Sequence, residues 1–289
     1  MSGWGAALLW LTIVALAWGL WQYYQRRKLE KELQRLLGSA DWQSQLLYLL
    51  HSQQHREHAE KRALALLADA SHELKTPLNI LLGYLDTLVQ GAWKEAIALH
   101  FLEKSLQQVQ RMQGVVQDIL LLAQIEGGGW TIQRESVLLY GLLQQVWEEL
   151  EPLAARKGVG LERPPHELHD VRVEADPFAL YHIFKNLLEN AIRYSPERQK
   201  IRIQWKPLPE LRKVQVCIQD TGPGIPEKDL PYIFDRFYRV DKSRARQSGG
   251  TGLGLSIVRK LIEAHNEKVW VQSQVGKGTT FYFTLPMEA

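Results

Sequence analysis

The chain has 289 residues, room for about two domains at the usual ~150 residues each, and 45% of them are hydrophobic, enough for at least one substantial core. Thirty-five Lys and Arg against 32 Asp and Glu leave a net charge of +3. That is too small to argue for a nucleic-acid partner, and no long basic run interleaved with aromatics supplies one. The single cysteine, Cys217 in the strand-like run VQVCIQ, can form no internal disulfide or CxxC metal site. It reads as a buried apolar residue in a reducing compartment.

Residues 3–21, GWGAALLWLTIVALAWGLW, carry no charge and one hydroxyl, Thr12. About 20 apolar residues at 1.5 Å rise cover a ~30 Å hydrocarbon layer. Trp4 near one end and Trp18, Trp21, Tyr23 and Tyr24 near the other are placed for interfacial belts. No Lys or Arg precedes the stretch, whereas Arg26, Arg27 and Lys28 follow it at once. A secretory signal carries its charge before a shorter apolar core, so the order predicts a retained transmembrane helix over 3–24. The expected location is the plasma (inner) membrane, single-pass, with the C-terminal bulk cytoplasmic. A cleaved signal peptide and a hydrophobic regulatory helix are the alternatives.

Residues 25–62 read as a helical linker, with loosely recurring Leu29, Leu33, Leu36 and Leu37. His51, His55 and His58 share a helical face there; with no Cys or acid to complete a metal set, a solvated Gln/His face fits better. A sharper helical period spans 63–127. Leu67, Ala70 and Leu74 step by three and four, then Leu78, Leu81, Leu85 and Leu88, with the seam slipping by one inside HELKTP beside Pro77. Gly91 marks a turn, and a second helix runs from about Lys94 to Glu126 with Leu99, Leu102, Leu106, Val109, Met112, Val116 and Ile119 on one stripe. A single hairpin cannot cover both stripes, but two hairpins paired as a four-helix bundle can, so a homodimer is expected.

Glu126–Trp130, EGGGW, breaks the pattern and reads as a domain boundary. Within 130–287 the strand-like runs are WTIQRE, GVGLER, VRVEAD, IRIQWK, VQVCIQD, KVWVQS and TTFYFTLP. Helical patterns cover about Val137 to Arg156, Pro177 to Tyr194 and Thr251 to Ala264. Without regular βαβ alternation, the expected fold class is α+β, with helices on one face of a mostly antiparallel sheet.

Ser71–Leu78, SHELKTPL, sets an ionisable pair and a helix breaker in the middle of a helix. His72 lies two residues from both Ala70 and Leu74, about 200° around the helix, so it faces away from the hairpin core. Glu73 can orient the ring or take a proton while the other nitrogen attacks an electrophile. Pro77 removes one backbone hydrogen bond and loosens the turn. In NLLENAIRYS, Asn186 and Asn190, and Glu189 and Arg193, are i,i+4 pairs along one helix edge, a plausible grip on Mg²⁺ and phosphates. DTGPGIP, from Asp220, follows a strand and can present a carboxylate to a purine amine. SGGTGLGLSIV, from Ser248, lets backbone N–H groups and a helix N-terminus approach phosphate oxygens.

Together these stretches resemble the signature boxes of the membrane-bound sensor histidine kinases of two-component systems. SHELKTPL is similar to the phosphoacceptor box, NLLENAIRYS to the N box and DTGPGIP to the first glycine box. FDRFYR, from Phe234, is similar to the F box, GGTGLGLSIV to the second glycine box and GKGTTFYFTLP to the closing strand. Similarity around GYLDTL and FYRVDKSRARQSGGTGLGLSIV leans towards the phosphate-regulon branch. The resemblance implies a dimerisation and phosphotransfer hairpin followed by a left-handed-crossover, Bergerat-type α/β sandwich that binds ATP and Mg²⁺. It implies His72 as phosphoacceptor, Glu73 as base and Thr76 as a positioner of water in the reverse, phosphatase direction. Asn190 would coordinate Mg²⁺, supported by Asn186 and Glu189. Arg193 would contact phosphate where the family often has Lys. Tyr194 would stack on adenine, and Asp220, with Thr279 nearby, would accept its amino group. Gly222 and Gly224 would shape the pocket floor, and Gly250, Gly252, Leu253 and Gly254 would bracket the triphosphate. The stretch from Asp229 to Gly250 would form a lid held by Phe234 and Phe237. The implied partner is a response regulator, phosphorylated on aspartate. The rivals are an ATPase or chaperone of the same superfamily, which lacks a His-Glu hairpin, and a non-catalytic membrane scaffold. Many family members place an extracellular sensor or a PAS or HAMP module upstream, whereas here one span and a short linker are expected.

Overall fold

The computed structural model describes residues 27–28, 65, 68–91, 95–127, 130–240 and 250–288, nearly all within the compact unit Ala63–Ala289. The apolar stretch 3–24, most of the linker 25–62 with His51, His55 and His58, and residues 241–249 of the expected lid lie outside the described residues. Among the described residues, no helix is long and apolar enough to cross a membrane.

Two helices form the hairpin: α1, residues 68–89, and α2, Glu95–Glu126. α1 continues without interruption through Pro77, which is buried, so one lost backbone bond does not end the helix there. Gly91 turns the chain with φ 109°, a conformation that suits a residue without Cβ. Tyr84 and Phe101 join the two helices with ring centroids 5.7 Å apart. Leu99, Leu102, Leu106, Val109 and Val116, from the stripe expected on α2, stay exposed in the single chain, as do Leu78 and Leu85 on α1. Val115, Leu121 and Leu122 face the other way and are buried, and Leu121 and Leu122 join the core of the C-terminal lobe.

That lobe runs β1 (Glu135–Leu138), α3 (Leu139–Lys157), β2 (Gly160–Glu162), β3 (Arg172–Ala175), α4 (Pro177–Tyr194), β4 (Lys200–Leu208), β5 (Lys213–Gln219), α5 (Gly254–Ala264), β6 (Val269–Gln274) and β7 (Gly278–Pro286). The main sheet has the order β2-β4-β5-β7-β6, parallel only between β2 and β4, and β1 pairs with β3 in a separate antiparallel ribbon. Strict alternation buries Ile201, Ile203 and Trp205 on β4, Val214, Val216 and Ile218 on β5, and Phe281, Phe283 and Leu285 on β7. α3, α4 and α5 supply the opposing apolar surface, with α4 packed between the other two. This is the expected helices-on-one-face α+β sandwich.

Three boundaries differ from expectation. WTIQRE is irregular up to Glu135, and the strand lies in Glu135–Leu138, where Val137 pairs with Val173. The α3 pattern therefore begins at Leu139 rather than Val137. α5 begins at Gly254 rather than Thr251, because Gly252 takes φ 76° and holds the preceding residues in a turn. Cys217 is only half-buried, since the alternation along β5 puts it on the face away from the helices.

Both ends of α4 are tied. Asp176 caps its N-terminus, accepting from the Ala179 N–H at 3.0 Å and the Gln133 N–H at 3.0 Å. The Asp176 N–H donates to Nε2 of buried His265 at 3.1 Å, and the ring's Nδ1–H donates to the Leu261 carbonyl at 2.7 Å. At the other end Lys157 Nζ donates to the carbonyls of Ile192, Arg193 and Ser195 at 3.2, 2.7 and 3.0 Å. Phe184 is fully buried on this helix and meets Phe283 edge-on at 5.8 Å. Phe184→Ala should lower unfolding free energy by about 3–5 kcal/mol, measured by urea denaturation of the lobe's fluorescence. A loss under about 1 kcal/mol would show that α4 does not anchor the core.

Candidate active site

The face of α4 turned from the core carries two polar rows. His182, Asn186 and Asn190 recur every four residues, and so do Lys185, Glu189 and Arg193. All six line a cleft of about 720 Å³, together with Tyr194, Arg239, Gly250, Thr251, Gly252 and Gly254 from the lobe. Arg193 donates to Glu189 at 2.5 Å, and the Asn186 amide donates to the His182 carbonyl at 2.9 Å, which leaves the Asn186 Oδ1 facing the glycine turn. Burial and the Lys185 charge hold His182 below the ordinary histidine range. Sequence reading placed Asn186, Glu189, Asn190, Arg193 and Tyr194 here but missed His182 and Lys185. Continuing both rows one turn towards the N-terminus finds them.

The glycine turn 250–254 closes against this edge. A Cβ on Gly254 would lie 2.5 Å from Asn186 Oδ1, and one on Gly252 would lie 2.8 Å from the Phe237 Cα. Phe237, itself at φ 58°, donates its N–H to the Gly252 carbonyl at 2.9 Å, so the F box braces the turn from behind. Leu253 is fully buried, and Phe234 packs edge-on against Phe281 at 6.2 Å.

Asp220 ends β5, 5% exposed. Its Oδ1 accepts from the Gly222 N–H at 2.7 Å and the Thr279 N–H at 3.2 Å, while burial raises its pKa. Oδ2 makes no hydrogen bond among the described residues. Gly222 brings the turn against the Tyr194 carbonyl, where a Cβ would sit 2.9 Å away; a Cβ on Gly224 would meet the Gln274 carbonyl at 2.1 Å. Thr279 is buried with its hydroxyl 2.9 Å from that of Ser273. Of this group Gly222 adjoins Tyr194, and Asp220, Gly222, Gly224 and Thr279 do not line the cleft itself.

α2 forms the opposite wall, with Arg111, Gly114 and Asp118 among the lining residues. His72 is exposed on α1, Glu73 and Thr76 are half-buried, and none of the three lines the cleft. Glu73 accepts from Arg239 Nη2 at 3.2 Å rather than from His72, and Arg239 also donates to the Gly250 carbonyl. Arg236 pairs with Glu126. Among the described residues no group of three or more His, Cys, Asp or Glu is placed for a metal. Asn190 and Glu189 instead offer two hard oxygen donors, the protein share that Mg²⁺ takes when phosphates and water supply the rest.

Asp118 accepts from the Thr251 hydroxyl at 2.9 Å, and that hydroxyl accepts from the Leu253 N–H at 3.1 Å. Burial pushes the Asp118 carboxyl up to about 6 from 3.8, against the opposing Thr251 bond, with Glu189 adding repulsion and Lys185 relief. A raised acid pKa means that burial, which outweighs the Thr251 bond, makes the docked arrangement favour the protonated form. The stabilisation is complete below about pH 4 and is lost as pH rises through about 6, by roughly 3 kcal/mol at most. Asp118→Asn keeps an acceptor for Thr251 without the charge. Hydrogen exchange over residues 250–258 should therefore be slower in the variant than in the parent at pH 8, and equal at pH 5. Identical exchange at both pH values would refute the contact.

Residues 63–128 match the family described as His Kinase A (phospho-acceptor) domain, and residues 175–289 match Histidine kinase-, DNA gyrase B-, and HSP90-like ATPase; together they cover more than half of the chain. Sensor protein kinase WalK of Staphylococcus aureus is 34% identical over 241 residues, 83% of this chain. The chain spans 57% of that relative and 39% of its counterpart in strain Newman. Among solved structures, Acinetobacter baumannii histidine kinase AdeS superposes with a TM-score of 0.60 at 25% identity, over 75% of this chain and 98% of that one. Full-length ShkA in complex with AMPPNP superposes at 0.57 with 28% identity, over 77% and 46%. With a hairpin that carries the His-Glu box and a sandwich lobe whose cleft gathers the N box and the second glycine box, the chain belongs to the two-component sensor histidine kinases.

Proposed function

We propose that the chain is an ATP:protein-histidine phosphotransferase that phosphorylates His72 and passes the phosphoryl group to an aspartate of a response regulator. The observation that carries the reading is Arg239, which reaches Glu73 in the phosphoacceptor box and the Gly250 carbonyl on the cleft rim. One side chain thus joins the helix bearing His72 to the nucleotide cleft. Adenine lies against Tyr194, its amino group donating to Asp220 Oδ2, and the triphosphate runs along Asn186, Asn190 and Arg193 towards the glycine turn. Asn190 with Glu189 would hold Mg²⁺, which when bound would neutralise phosphate charge. In the transfer step one imidazole nitrogen of His72 attacks the terminal phosphorus, the P–O bond to ADP breaks, and Glu73 accepts the proton from the other ring nitrogen. Glu73 must first leave Arg239 and His72 must approach the cleft, so the lobe shifts on the hairpin before transfer. Thr76, one turn beyond His72, positions water when the phosphorylated regulator is hydrolysed.

The exposed apolar stripes of α1 and α2 support a homodimer closed as a four-helix bundle, since contiguous apolar surface of this kind marks an interface. The uncharged stretch 3–21 followed by Arg26, Arg27 and Lys28 supports a single membrane anchor with the enzyme on the cytoplasmic side. The domain limits that fit are 63–127 for the hairpin and 130–287 for the catalytic lobe.

Incubation with γ-labelled ATP and Mg²⁺ should give acid-labile label that disappears in His72→Gln; label surviving that change would exclude His72 as acceptor. Asp220→Asn should weaken nucleotide binding at least tenfold while the dimer persists. Unchanged affinity for an ATP analogue by calorimetry would remove the purine contact from the account.

A further inference from the structure

Arg111 projects from the hairpin into the cleft, where it shares the lining with Arg193 and Arg239. The other two guanidiniums have carboxylates: Arg193 pairs with Glu189 and Arg239 with Glu73. Among the described residues Arg111 has no ion-pair partner, and its buried Nε makes no hydrogen bond. Burial and the neighbouring charges of Arg239 and Arg193 all lower its basicity, and only Glu73 acts the other way. A buried guanidinium N–H without an acceptor costs free energy unless an anion or another acceptor reaches it. A cleft lined by Arg111, Arg193, Arg239 and Lys185 against the carboxylates of Asp118 and Glu189 has room for a multiply charged anion. The planar fork of Arg matches phosphate oxygens two at a time.

We propose that Arg111 binds the terminal phosphate of the nucleotide, so that the second hairpin helix is one wall of the nucleotide site. The terminal rather than the inner phosphates follow from position. Tyr194 and Asp220 mark the adenine end beyond Arg193, whereas the charges acting on Arg111 include Glu73, the neighbour of His72, and Arg239, which pairs with Glu73. Arg111 therefore stands at the end of the cleft where the phosphoryl group must leave. ATP then bridges lobe and hairpin, and ADP, which lacks the group Arg111 holds, binds the lobe alone. This makes docking of the lobe on the hairpin sensitive to the nucleotide's phosphorylation state.

The inference rests on the kinase reading, and calorimetry with two probes separates them: ADP and the imido analogue of ATP, each with Mg²⁺, titrated into the whole chain and into Arg111→Ala. The expected result is about tenfold weaker binding of the imido analogue to the variant, one lost charge-assisted pair, with ADP affinity unchanged within about twofold. Unchanged ADP binding also reports that the variant's lobe is folded. Arg111→Lys, which keeps the charge and loses the fork, should fall between parent and Arg111→Ala, and it carries the test if circular dichroism finds Arg111→Ala unfolded. Equal losses for both nucleotides, or no loss for either, overturn the Arg111 assignment while leaving the kinase reading intact. A parent chain that binds neither nucleotide overturns both.

Discussion

The structure depends on the two-sidedness of one helix. α4 buries Ile183, Phe184, Leu187, Leu188, Ala191 and Ile192 against the sheet and its neighbouring helices, while residues 182, 185, 186, 189, 190 and 193 between them face the cleft. Because one 3.6-residue period sets both rows, the polar groups cannot move relative to one another without moving the core. The ties at each end fix the helix along its axis: Asp176 and His265 at the start, and Lys157 at the last turn. Three carbonyls held by one ammonium group place Tyr194 and Arg193 at a defined height above the sheet. The glycine turn then has to fit that edge, which is why Gly254 can carry no side chain opposite Asn186.

Most of this edge was legible in the sequence because a helix converts spacing directly into geometry. The limits of α4 follow from Asp176-Pro177 at the start and the end of the apolar period at Tyr194. Periodicity likewise gave the main-sheet strands to within about two residues, since alternation on a half-buried sheet is a strong signal. It failed at WTIQRE, whose alternation resembles a strand but whose backbone serves to cap α4 through the Gln133 N–H. It failed again on the cleft's second wall. Arg111 and Asp118 sit off the apolar stripe of α2 and look like ordinary solvated residues, as most such charges are. Only the docking of a lobe distant in sequence gives them a role, and no local pattern encodes that docking.

The seam between lobe and hairpin is polar where it touches the chemistry and apolar only at one end. Leu121 and Leu122 are shared with the lobe core and anchor the end of α2 to it near the junction at residue 127. Further along α2 and across to α1 the contacts are Asp118 with Thr251 and Glu73 with Arg239, neither fully removed from water. Pairs of this kind contribute about 1 kcal/mol or less where solvent reaches them, and partial burial of the Asp118 charge offsets the gain from its bond to Thr251. A seam anchored at one end and weakly held at the other suits a phosphotransferase. In the proposed reaction the nucleotide would reach His72 for one step and withdraw for a partner protein to take its place. An apolar seam along the whole helix would hold the lobe against α2 and, on the proposed reading, leave His72, on the exposed face of α1, without a donor.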